Sequence, residues 1–265
     1  MLARRDISRA AFTLLELLIV LTIIGVLSAM LAPALLDVLV YAHQVTCTSN
    51  LRHIGLATKY YLDEHDGDFF PLVEDQGDSK LWYFGFEANA SQAMAVGEGN
   101  RILDRTRGRL YRYLGTSETV ETCPAVPFGS PYKPKFKGKP WTYGINYYLS
   151  YHPKPASPKG YGNIGMIRPS DVSRTAVFAD SAQVNDFLAP ASQDNPMIED
   201  WYYLQPDRRY VQFRHGGRAN VLFADWHVEA VGPAEGSLDT RLPDAMIGMF
   251  DEDVVLLKPC HWQLR

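Results

Sequence analysis

FTLLELLIVLTIIGVLSAMLAPALL, residues Phe12–Leu36, is the stretch whose reading decides the fold. It runs for 25 residues with one charge, Glu16. At helical rise that length slightly exceeds the roughly 30 Å hydrocarbon core of a bilayer. Ahead of it, Arg4, Arg5 and Arg9 stand against a single Asp6, so the positive-inside bias keeps the start cytoplasmic and sends the rest outward. A secretory signal peptide has a shorter apolar core and no use for an acid within it. Segment 12–36 therefore reads as a transmembrane helix. Glu16 is what a plain anchor leaves unexplained, because a carboxylate in a membrane helix is costly and calls for a partner. A cut just before Phe12 would free an α-amino group, and that amine on a neighbouring copy could neutralise Glu16 and set the axial register of packed helices.

These residues resemble the type III signal of type IV pilins and type II secretion pseudopilins, with FTLLEL following a short basic leader. The resemblance implies that a prepilin peptidase removes leader peptide 1–11 between Ala11 and Phe12, that Phe12 is N-methylated, and that Glu16 guides assembly. Pro33, 21 residues beyond Phe12, matches the helix-interrupting proline of that family. Proline at that point removes one helical hydrogen bond and clashes with the preceding turn, so a kink or local melting is expected. One departure stands at the cut: the family carries Gly there and this chain carries Ala11.

Beyond Pro33 no proline or glycine interrupts the chain until Gly55, and Cys47, Leu51, Ile54 and Tyr61 share one helical face. The spacing predicts one long helix, Phe12 to Glu64, made of the membrane segment and a soluble stalk half, 37–66. Residues His65, Asp66 and Gly67 end it, with Gly favoured just past a helix C-terminus. The remainder, 67–265, is long enough for a single α+β head domain. The fold class expected is α+β and pilin-like: a long N-terminal helix packed on an antiparallel sheet.

CTSNLRHIGLATKYYLDEHDGDFFP, from Cys47 to Pro71, resembles a branch of pseudopilin-like proteins in which Cys-x-x-Asn-Leu-Arg continues the stalk and Phe-Pro follows it. RHGGRANVLFADWHVEAV resembles the H-X9-DG motif that accompanies such leaders, with His215 and Asp225 in the matching places. Asn220–Ala224 and His227–Val231 read as two strands with Asp225 and Trp226 at the bend. A type I′ turn needs positive φ at both central residues, which Trp226 resists, so the turn is longer or of another type.

Two readings of His215, Asp225 and His227 stand side by side: metal ligation, or Asp225 capping a turn while His215 bonds to backbone. The second is preferred and no metal is assigned. Cys47 and Cys123 are the candidate disulfide of an exported domain, against three separate buried thiols including Cys260. The family resemblance raises calcium in a C-terminal loop, but Asp239, Asp244, Asp251, Glu252 and Asp253 follow no regular ligand spacing. The lysines of the Pro- and Gly-rich middle region read as a solvated loop around a TYGINYYLS strand, and a further strand is expected at Thr175–Ala179.

A net charge of −4, becoming −6 without residues 1–11, gives no nucleic-acid footprint. No hydrolase elbow, zincin motif, phosphate loop or dinucleotide fingerprint is present, so the sequence offers no enzyme argument. Two functions remain. One is a subunit of a type IV pilus or type II secretion pseudopilus-like filament, made at the bacterial inner membrane with its C-terminal domain in the periplasm. The other is a single-pass, membrane-anchored periplasmic binding protein or enzyme.

Overall fold

The computed structural model describes residues 13–97, 99–115, 120–126, 131–138, 140–151, 162–186 and 191–257. Ala11, Phe12 and Cys260 lie outside them, as does much of the Pro-rich middle region. Contacts divide the chain into two compact units, 1–42 and 43–265. The stalk half therefore does not form a unit of its own, because from His43 onward it shares a core with the head.

One α-helix runs Leu14–Glu64. Its hydrogen-bonded course is continuous across Pro33, so the local melting expected there does not occur. A proline removes only one N–H from a long helical ladder, and the apolar residues on either side are strong enough helix formers to carry the helix through. In the first unit every side chain from Thr13 to Ala32 is exposed.

In the second unit the same helix buries one face. Cys47, Leu51 and Ile54 are wholly inaccessible and Tyr61 is nearly so, as their spacing predicted. The helix ends in a Schellman arrangement: the Gly67 N–H donates to the Leu62 carbonyl at 2.8 Å. Asp66, with φ 54°, occupies the left-handed position that glycine usually takes, and Gly67 follows with φ 79°.

The buried helix face meets a five-stranded sheet ordered Val228–Val231, Ala219–Phe223, Ala176–Asp180, Tyr143–Asn146, Tyr203–Leu204. The first four strands pair antiparallel, and Tyr143–Asn146 pairs parallel with Tyr203–Leu204. The sheet is thus mixed where an antiparallel one was expected, since a chain returning from a distant excursion can add at an edge in either direction. Every residue of the three middle strands is buried. Leu222 and Phe178 join the core with the helix, while Val211, Phe213 and Leu256 belong to a second cluster with Val221 and Ala179. Gly55 permits the close approach of helix to sheet, because a Cβ there would stand 3.0 Å from both terminal carbons of Leu222.

The hairpin expected around Asp225 is present as Ala219–Phe223 and Val228–Val231. Its Phe223 N–H donates to the His227 carbonyl, which leaves a three-residue loop, Ala224 to Trp226. Trp226 takes the left-handed position with φ 73°, the place a glycine takes in loops of this class. The strand expected at Thr175–Ala179 runs Ala176–Asp180, and TYGINYYLS divides into strand Tyr143–Asn146 and helical turn Tyr147–Ser150. One lysine of the middle region departs from the solvated loop: Lys135 is buried, with Nζ 3.5 Å from Glu199 and 4.1 Å from the Trp201 ring centroid.

Candidate functional site

The N-terminal segment is built from two opposing tendencies. Leu, Ile and Val dominate Leu14–Ala32, a stretch of 19 residues that is long and apolar enough to cross a membrane. A helix start, however, leaves four N–H groups without helical partners. Thr13 and Glu16 answer this locally. The Glu16 carboxylate accepts from the Thr13 N–H and hydroxyl, both at 2.9 Å, while the Glu16 N–H donates to Thr13 Oγ1 at 3.2 Å. That reciprocal pattern is a capping box, and the Thr-x-x-Glu spacing that announces it is legible in the sequence. In the isolated chain Glu16 thus caps its own helix.

Residues 7–32 match the prokaryotic N-terminal methylation motif. The chain carries a prepilin-type signal. No curated protein and no solved structure matches it. The motif spans the basic leader end, the Ala11–Phe12 junction, Glu16 and the apolar helix, and stops just short of Pro33. Ala11 and Phe12 themselves lie outside the described residues.

A second constellation lies in the head. Among the described residues, Cys47, Cys123, Asp180 and His215 form the one group of His, Cys, Asp or Glu side chains able to surround an ion, their ligand atoms all within 4.8 Å of one another. The long helix supplies Cys47, a turn supplies Cys123, the end of the central strand supplies Asp180, and the residue before the hairpin turn at Gly216 supplies His215. All four are buried. The Cys47 thiol donates to Asp180 Oδ1 at 3.2 Å. His215 Nε2 lies 3.4 Å from Cys123 Sγ and 3.3 Å from Asp180 Oδ2, and Nδ1 has no partner among the described residues.

The surroundings hold these groups in place. Asn220 N–H donates to Asp180 Oδ2 at 2.8 Å, and Tyr143 donates its hydroxyl toward Cys47 Sγ at 3.5 Å while accepting from Asn50. Arg214, buried alongside, has Nε 3.8 Å from Asp180 Oδ1 and donates Nη2 to the Ser181 carbonyl at 2.7 Å. Burial pushes the Cys47 thiol well up, and its neighbours Cys123 and Asp180 add to this. Burial would also raise Cys123, but hydrogen bonds with Cys47 and His215 and the Arg214 charge bring it down to about 6. For His215 burial acts downward and is outweighed by Asp180 and Cys123, leaving it at about 9. Asp180 ends below the usual carboxylate range because Arg214 and His215 overcome its burial.

The expected disulfide is corrected here. Cys47 and Cys123 do meet, but as free buried thiols, with an imidazole and a carboxylate drawn into the same place. Asp225 and His227 are half-exposed and bond to each other across the hairpin turn, not to His215. The five C-terminal carboxylates gather into no shared cluster among the described residues, and Asp239 is held by Arg241 at 2.6 Å. Sequence reading paired Cys47 with Cys123, named His215 apart from them and missed Asp180. Its one signal was an acid closing the apolar run Thr175-Ala-Val-Phe-Ala.

Proposed function

We propose that this chain is a subunit of a type IV pilus or type II secretion pseudopilus-like filament, matured by a prepilin peptidase that cuts between Ala11 and Phe12 and methylates Phe12. The observation that carries this reading is the methylation motif at 7–32 laid over a helix whose described side chains are all exposed from Thr13 to Ala32. A surface of that kind finds its complement in lipid or in copies of the same helix. The capping box gives Glu16 a resting partner in the unassembled chain. On assembly the carboxylate exchanges Thr13 for the freed amine of a neighbouring subunit, and the helices register on that pair. The site of synthesis is the bacterial inner membrane, with the C-terminal head on the periplasmic side.

Glu16→Ala tests this directly. The variant is expected to insert into the membrane and to lose incorporation into sheared or cross-linked fibres, while mass spectrometry of the wild-type chain finds an N-terminus at methylated Phe12. An intact Met1 in the mature protein, or unimpaired assembly of the Glu16→Ala chain, would overturn the reading in favour of a simple anchor.

A further inference from the structure

We infer that the head carries a closed structural zinc site made by Cys47, Cys123, His215 and Asp180. The inference does not depend on filament assembly, because all four ligands belong to the unit 43–265.

Geometry is the first support. Tetrahedral ligation with Zn–S near about 2.3 Å and Zn–N or Zn–O near about 2.0 Å places nitrogen and oxygen about 3.3 Å apart, and sulfur about 3.5 Å from either. The corresponding separations are 3.3 Å for His215 Nε2 to Asp180 Oδ2, 3.4 Å for Cys123 Sγ to His215 Nε2 and 3.2 Å for Cys47 Sγ to Asp180 Oδ1. Asp180 enters these pairs through both of its oxygens, so they match individual edges of such a site, and one ligand atom from each of four separate segments lies within 4.8 Å of the others.

The way His215 is used separates a metal site from a nucleophilic one. In a Cys–His–Asp relay the imidazole spends one nitrogen on the thiol and the other on the carboxylate. Here Nε2 alone faces both Cys123 and Asp180, and Nδ1 faces neither. Burial agrees, since Cys47, Cys123 and Asp180 are wholly inaccessible and His215 nearly so, as in a closed structural site and unlike one that admits a substrate. A disulfide would need only the two sulfurs, and it would leave the convergence of a carboxylate and an imidazole on them without a cause.

Charge closes the argument. Two thiolates, one carboxylate and a neutral imidazole around Zn²⁺ leave one negative charge. The buried Arg214 guanidinium cancels it, and its Nε and Nη1 have no hydrogen-bond partner among the described residues. Loading the ion displaces to solvent the two protons that the sulfurs and the His215 imidazole hold between them, and changes no oxidation state. Soft sulfur with imidazole favours zinc over calcium or magnesium, which take oxygen ligands. The Asn220 N–H on Asp180 and the Tyr143 hydroxyl on Cys47 supply the outer contacts that orient such ligands.

The test uses the full chain in detergent, reduced, loaded with zinc and freed of excess metal, with elemental analysis and thermal unfolding as readouts. One zinc per chain is expected, with a lower Tm after chelation that zinc restores. Cobalt in its place should give the intense d–d and sulfur-to-metal bands of a tetrahedral thiolate site. His215→Phe should lose the metal and His215→Cys should keep it, a pair that separates ligation from mere packing. A folded wild-type chain that retains no zinc after loading, or a His215→Phe chain that retains it fully, overturns the inference. So does an oxidised Cys47–Cys123 pair that resists reduction in the native protein.

Discussion

The two halves of one helix solve opposite problems. From Thr13 to Ala32 the side chains are exposed along the whole stretch, whereas between Cys47 and Leu62 the same helix hides Cys47, Leu51, Ile54, Ala57, Tyr61 and Leu62. Composition separates them, Glu16 being the one charge from Thr13 to Ala32, but composition alone does not say how each is completed. The difference is periodicity: the first half is apolar all round, and the second is apolar along one stripe with Arg52, His53, Lys59 and Tyr60 turned outward. A helix apolar all round must find its complement outside its own chain, while a striped one can be completed by the sheet that follows it. The comparison teaches that the second half of the helix is completed within its own unit, whereas the surface from Thr13 to Ala32 is not covered by the described residues.

The most severe way to break this comparison is to cut the chain at His43. The fragment 43–265 should stay soluble without detergent and unfold in one cooperative transition, while the full chain partitions into membranes. Aggregation of the fragment, or gradual unfolding, would show that the head borrows stability from the first unit. A sharper test applies one chemical change to both halves. Leu51→Ala, at a wholly buried position, should cost about 2–5 kcal/mol in head stability by denaturant titration. Leu27→Ala, at an exposed one, should shift the same transition by less than about 0.5 kcal/mol.

Smaller effects test the polar ledger of the head. Asp239 is opposed by its burial, yet Arg241 hydrogen bonds hold it below the usual carboxylate range. A carboxylate depressed in the folded state contributes stability that is present above its unfolded pKa and lost as pH falls through the folded one. Asp239→Asn should therefore flatten the acid limb of a urea-midpoint-versus-pH curve and leave its neutral-to-alkaline shape alone. The smallest expected change concerns the helix end. Asp66 holds a left-handed backbone that favours glycine, and its side chain is exposed, so Asp66→Gly should gain about 0.5–1 kcal/mol and raise Tm slightly.

Much of the first 67 residues was legible in the sequence because its signals are local. Helix spacing, the leader charge and the Glu16 position need no knowledge of distant contacts, and the helix end at Glu64 follows from the residues beside it. The Thr13–Glu16 capping box is equally local, a Thr-x-x-Glu spacing at the helix start. The hairpin at Asp225 was legible by its alternation, and of the two alternatives left by the misfit of Trp226 to a two-residue turn, a longer loop or another type, the longer loop is present, with Trp226 still at positive φ. The one long helix through Pro33 was legible too, and of the two local effects expected of the proline, melting does not occur, since a helix-breaking rule describes an energy and not an outcome.

The sequence alone determined that this chain has an apolar, membrane-length helix behind a prepilin-type leader and an α+β head beyond it. Those properties reside in composition and in periods of two and 3.6, which are written along the chain. Tertiary structure alone decided that Cys47, Cys123, Asp180 and His215 meet, and that they meet as thiols, imidazole and carboxylate in one sealed place. The physical reason is distance along the chain. Residues as far apart as Cys47 and His215 are brought together only when the helix docks on the sheet, and no local pattern records that closure.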